Sequence, residues 1–270
     1  MRALTIIENT ACGDVIAEHG LSIYIENNGK KILLDMGASD AFLENAKKLS
    51  VDISDIDIAV LSHAHYDHSG GMTAFFEANQ KAKLYISKNA KENCAKIQDG
   101  EEKYIGIESG VLEKYADRFV FADGFYKIDE GVYLVPHFSK GLEKIGLRES
   151  LYIKTASGLV PDDFAHEQSL VFDLDEGLVI FNSCSHGGAD TIINEVRSVL
   201  PGREVLAYVG GLHLKHADEA FVLEYADKLL ESGAKKVFTG HCTGDEAYEI
   251  LHLKLKGALH ALSSGKQIDL

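Results

Sequence analysis

Short apolar, β-branched runs alternate along this chain with stretches at helical spacing, and glycine marks many of the junctions. The first clear phrase is LSIYIENNGKKILLDMG (residues 21–37), two extended runs around Asn27-Asn28-Gly29, a strong hairpin signal. A helix over 41–49 follows, and then the mostly apolar run 56–61, which reads as a buried strand. The pattern next predicts a helix over 72–79, with Ser69 as its cap and Gly70-Gly71 giving a sharp turn. Between about 80 and 165 the pattern is weaker: LYIS, VYLVPHF and SLYIKTA read as strands and GVLEKYADRF as helical. The last hundred residues repeat one phrase three times. Strand-like 178–183 leads through Cys184-Ser185-His186-Gly187-Gly188 into a helix over 189–200, stopped by Pro201-Gly202. Strand-like 204–209 leads through Gly210-Gly211-Leu212-His213 into a helix over 217–231, and 236–238 leads through Gly240-His241 into a helix over 245–255. Each phrase is strand, glycine loop with a histidine, helix.

Composition narrows the class. At 270 residues, 46% hydrophobic and 26% charged, the chain can bury a large core, expected as one domain over 1–270. Lys and Arg total 27 against 42 Asp and Glu, and a net charge of −15 argues against a nucleic-acid partner. The apolar N-terminal stretch is soon broken by Glu8 and Asn9, so neither a signal peptide nor a membrane span is expected, and a cytoplasmic location is the default. The cysteines at 12, 94, 184 and 242 show no paired spacing, so neither a disulfide framework nor a structural zinc knuckle is expected.

The chemistry concentrates in LSHAHYDHSGG (61–71), where His63, His65, Asp67 and His68 fall within six positions. In an extended chain alternate side chains share a face. His63 and His65 then project together with Asp67, and His68 turns away across the loop. Imidazole suits zinc and its neighbours, and a carboxylate suits harder ions. Helix-connected sheets gather ligands beyond the carboxyl ends of their strands, so the loops bearing His186, His213 and His241 are candidates for the same site.

These residues carry a resemblance. His63-x-His65-x-Asp67-His68 after an apolar strand and before Ser-Gly-Gly, with LLDMG at 33–37, resembles the signature of the metallo-β-lactamase superfamily. EHGLSIYIE, NSCSHGG, GGLHL and GHCTG are similar to the subgroup that contains the dihydropterin ribofuranosyl-aminobenzene phosphate synthase. The resemblance implies an α/β (α+β) fold, a four-layer αββα sandwich of two mixed sheets flanked by helices, with a dinuclear metal site at one edge. It implies two divalent ions, zinc first and Mn, Fe or Mg as alternatives. A middle histidine in a Gly-His-x-Pro-Gly context and the bridging aspartate common in relatives are absent; Ser183-Cys184-Ser185-His186 stands where a Gly-Asp pair is often found. His186 is therefore read as the replacement ligand and Cys184 as a neighbour of the ligands. The expected sets are His63, His65 and His186 for one ion, and Asp67, His68 and His241 for the other, with Asp67 also catalytic.

Around them, Asp35 is expected to accept a hydrogen bond from a ligand histidine, and His19, His166 and His213 to meet the substrate. His137 is expected at a strand end with no chemistry. The leading functional expectation is a hydrolase that activates water between two metal ions and acts on a small ester, phosphoester or related anionic metabolite. A dihydropterin-type synthase acting on a phosphorylated ribose-containing substrate is the alternative, and a non-catalytic metal- or ligand-sensing module the third.

Overall fold

The computed structural model describes residues 1–270. Its two main sheets share one plan. The first runs Gln267–Ile268, Arg2–Ile7, Ser22–Asn27, Lys30–Leu34, Ile58–Val60, Lys83–Ser87, Phe119–Ala122, and the second Leu259–Ala261, Lys236–Thr239, Val205–Val209, Gly177–Phe181, Gln168–Leu174, Val132–Pro136, Tyr126–Asp129. In each, antiparallel pairs on one side give way to parallel pairs on the other. The parallel halves come from the glycine-punctuated strand–loop–helix phrases, since parallel neighbours need a crossover. Their loops emerge at carboxyl ends, the end where ligands gather.

The layers follow from what each face buries. Ile23, Ile25, Leu34 and Val60 of the first sheet pack against Leu134, Leu170, Phe181 and Val209 of the second, forming a shared inner core. The outer face of the first sheet lies under helices Ala41–Lys48 and Met72–Ala78, through Phe42, Phe75 and Phe76. The outer face of the second lies under Ala189–Val199, Glu219–Glu231 and Asp245–Leu255, through Ile192, Val222 and Leu251. The result is the expected αββα sandwich.

One local expectation is corrected. Ser69 does not cap the helix that starts at Met72; its Oγ donates to His65 O at 2.9 Å inside a separate single turn, Tyr66–Ser69. Gly70 and Gly71 do form the expected turn, at right-handed φ of −63 and −80. A Cβ at Gly70 would stand 2.1 Å from Ala38 O and one at Gly71 2.4 Å from Met36 O, so glycine lets this loop lie against residues 36–39. The middle third adds a four-stranded sheet not foreseen as such, ordered Gly158–Pro161, Leu151–Thr155, Cys94–Gln98, Glu101–Tyr104. No helix is long and apolar enough to cross a membrane.

Candidate metal centre

The loop after Ile58–Val60 stays extended to His65 and then turns helical at Tyr66. That change of period brings Asp67 and His68 round, so His68 does not turn away: its ring lies 4.2 Å from that of His63. His63 and His65 are 4.7 Å apart, and each is 5.0 Å from His186, which arrives from the loop after Gly177–Phe181. One ring nitrogen from each of His63, His65 and His186 lies within 4.8 Å of the others. A second cluster adjoins it: Asp67 Oδ2 is 3.4 Å from His241 Nε2 and 3.8 Å from His68 Nε2.

Asp35 organises both clusters. It is fully buried at φ +58, and its carboxylate accepts from Ser62 N (2.7 Å), Ser62 Oγ (2.7 Å), Ser183 Oγ (2.6 Å) and His68 Nδ1 (2.8 Å). Because Ser62 Oγ donates to Asp35, it accepts from His63 Nδ1 at 2.8 Å. One carboxylate thereby fixes the proton on both Nδ1 atoms and leaves each Nε2 to meet a cation or a proton. His186 Nδ1 donates to Glu167, whose carboxylate also takes the His186 backbone N–H, and the ring stacks on Phe164 at 4.5 Å. His241 sits at φ +51; Glu8 Oε1 accepts its backbone N–H at 2.6 Å, and Asn9 Oδ1 accepts from its Nδ1 at 3.0 Å.

The titration pattern fits cation binding. Burial holds His63 well below the ordinary imidazole range, lowers His65 and pushes His186 down to about 4, so all three are neutral. Burial alone would raise Asp67, but His68 and His241 outweigh it and hold the carboxyl well below its usual range. Burial opposes charge on His68 too, yet Asp67 and Asp35 raise it to about 9.

Two observations test whether metal ions suit these residues. His63 Nε2 and His65 Nε2 are buried with no hydrogen-bond partner, an expensive state for a polar atom. His68 Nε2 and His241 Nε2 face each other at 3.1 Å while both Nδ1 atoms are engaged, so without a proton or cation between them two lone pairs would meet. Five imidazoles and one carboxylate beside a cavity of about 450 Å³ are a donor set for divalent ions. They fit.

The remaining residues divide. His19 and His213 line that cavity; His19 Nε2 is 3.4 Å from Asp67 Oδ2, and the His213 ring is 4.6 Å from that of His186. Cys184 is buried with Sγ 3.3 Å from His68 Nε2. His166, expected to meet substrate, does not line the cavity. Its Nδ1 accepts from Ala64 N–H at 3.2 Å, which forces the proton onto Nε2, facing Asp162 Oδ2 at 3.0 Å. The same tautomer removes the Nε2 lone pair that a metal in the buried set His65, Cys94, Asp162 and His166 would need. His137, expected to be idle, links Glu195 (Nδ1 to Oε2, 2.8 Å) and Glu167 (Nε2 to Oε1, 3.3 Å) behind His186. Burial opposes its charge, but the two carboxylates raise it to about 9. The supports missed in the sequence are Glu8, Asn9, Ser62, Asp162, Glu167, Ser183 and Glu195. The one available signal was their polarity inside or beside apolar strands.

Residues 15–241 match the family model described as the metallo-beta-lactamase superfamily. The chain belongs to this superfamily. It is 29% identical over 269 residues to the 7,8-dihydropterin-6-methyl-4-(beta-D-ribofuranosyl)-aminobenzene-5'-phosphate synthase of Methanocaldococcus jannaschii, covering 93% of this chain and 90% of that one. An uncharacterized protein of the same organism is 29% identical over 246 residues, with 90% of each chain covered. Among solved structures, Tm1679, described as a metal-dependent hydrolase of the beta-lactamase superfamily, superposes with a TM-score of 0.85 over 100% of this chain and 99% of its own, at 24% identity. That likeness shows the superfamily fold.

Proposed function

We propose that this chain is a metal-dependent hydrolase that holds two divalent ions, zinc first among them, and cleaves a small ester, phosphoester or related anionic metabolite. The observation that carries the reading is the pair of buried, unpartnered nitrogens, His63 Nε2 and His65 Nε2, gathered with His186 at the end of an open cavity. His63, His65 and His186 would hold one ion; Asp67, His68 and His241 would hold the other. Bound there, the ions supply Lewis acidity, charge stabilisation and an activated water.

The chain's own residues do the rest. Asp35, Ser62, Glu167 and Asn9 fix the ligand tautomers, so no reorganisation is needed as charge develops. Asp67, held ionised, keeps an oxygen at the cavity edge that can accept a proton from, or orient, the attacking water. His19 and His213 stand where they can donate to a substrate oxygen.

Metal analysis of protein purified without chelator, paired with hydrolysis of bis(p-nitrophenyl) phosphate, tests this reading. The expected result is about two ions per chain at three protein ligands each, with turnover lost on chelation and restored by zinc. A reproducible content near one at full activity would overturn the dinuclear assignment.

A second reading, a dihydropterin-type synthase, is favoured by the 29% identity to the archaeal synthase across 93% of this chain. Formation of the 7,8-dihydropterin-6-methyl-4-(beta-D-ribofuranosyl)-aminobenzene-5'-phosphate that names that relative, with no phosphodiester hydrolysis, would select it. Full metal content without turnover of either kind would select a sensing module instead.

A further inference from the structure

The strands Cys94–Gln98 and Glu101–Tyr104 pair antiparallel with Lys96 directly opposite Lys103. Like charges in that relation destabilise a strand pair. Both lysines line the cavity that holds the metal ligands, beside Gln98 and Tyr104. Carboxylates near them are engaged elsewhere: Glu102 accepts from Lys154 Nζ at 2.7 Å, and Glu149 from Arg148 Nε at 2.9 Å. Glu101 stands opposite Gln98 in the register and makes no ion pair with either lysine. In a chain of net charge −15, a repulsive lysine pair facing the cavity is a local inversion of the field. Lys215 also stands in the lining, beside the loop that carries His213.

We propose that Lys96 and Lys103 form a subsite for a terminal phosphate monoester of the substrate, distinct from the group that reacts at the metal ligands. The inference rests on the hydrolase reading of the same cavity and names the substrate class: a phosphorylated metabolite whose ring or sugar lies against Tyr104, Ile105 and Leu151. Two ammonium groups suit a dianion, since lysine binds phosphate as a point charge. A monoanionic carboxylate would leave one of the two charges uncompensated.

The test is calorimetric titration of zinc-loaded protein with ribose 5-phosphate, ribose and inorganic phosphate, in the parent, K96Q/K103Q and K96R/K103R. In the parent, ribose 5-phosphate should bind more tightly than either ribose or inorganic phosphate. K96Q/K103Q should weaken that binding by about tenfold or more, as expected for lost charge-assisted contacts, with metal content unchanged. K96R/K103R should restore most of it, which a purely structural role for the strand pair would not require. Parent-like binding of ribose 5-phosphate by K96Q/K103Q at equal metal content overturns the subsite and leaves the hydrolase reading standing. Ribose 5-phosphate binding no tighter than inorganic phosphate also overturns it, because the pair would then hold a free anion only. A parent that takes up no metal yet shows the lysine-dependent binding would support the subsite while removing the hydrolase reading.

Discussion

Glu8 lies 233 positions before His241 in the chain, and its Oε1 accepts the His241 backbone N–H at 2.6 Å. The same carboxylate takes Thr10 N and Oγ1, both at 2.6 Å, so Glu8 ties the end of the first strand to the last proposed ligand. His241 is held at φ +51, a conformation that costs a non-glycine residue free energy and needs such support. Glu8→Ala should weaken binding of the second ion by about 10–100-fold, as changes one layer behind the ligands of a metal site do, and spare the first. Chelator competition with zinc on parent and variant measures this; equal affinities for both ions would sink the idea.

Asp67→Asn keeps the side-chain volume and removes the negative charge that offsets the second ion. The amide would still reach His241 and His68, so the fold should hold, while zinc stoichiometry falls toward one and hydrolysis of a phosphodiester is mostly lost. Unchanged turnover at full metal content would show that Asp67 is dispensable.

His186 and His137 share Glu167 but should fail differently. His186→Ala removes an imidazole from the first set and should lose metal and activity together. His137 touches no proposed ligand; its one positive charge is shared between Glu167 and Glu195, which are 0% and 5% exposed. Breaking a buried pair by removing one partner costs about 3–5 kcal/mol. His137→Ala should therefore lower the denaturation midpoint strongly before it touches metal stoichiometry. Parent-like stability in that variant would contradict the buried carboxylate–imidazolium–carboxylate arrangement.

What the sequence disclosed and what it hid follow from the range of each interaction. His63, His65, Asp67 and His68 are legible because a short loop carries them, and His186 and His241 because their loops repeat its strand–glycine–helix phrase. Glu8 and Asn9, by contrast, read as the end of an apolar run, and nothing local shows that they close on His241. In DDFAHEQS the histidine drew attention, while Asp162 and Glu167 carry the contacts that orient His166 and His186. Residues Glu101–Tyr104 are all exposed and show no alternation, so only pairing with Cys94–Gln98 makes them a strand. The two large sheets announced themselves through apolar runs; of the small one over the cavity only Leu151–Thr155 did, within SLYIKTA.

The raised His137 also sets a pH dependence. Its folded value of about 9 lies above the ordinary 6.5, so the protonated form is favoured by folding. The stabilisation is fully present below about pH 6.5 and is lost as pH rises through about 9. At 1.36 kcal/mol per pH unit the span corresponds to about 3 kcal/mol. Metal-free parent protein should thus unfold at lower urea at pH 9.5 than at pH 6.5. His68, raised to about 9 by Asp67 and Asp35 against burial, contributes in the same window when no metal is bound. His137→Gln separates the two, because it removes one titration and keeps the other. The loss of stability between pH 6.5 and 9.5 should be smaller in His137→Gln than in the parent, by an amount on the order of that 3 kcal/mol. Parallel pH profiles for parent and variant would mean that His137 is neutral in the folded protein, and the charge balance assigned to Glu195, His137 and Glu167 would have to be redrawn.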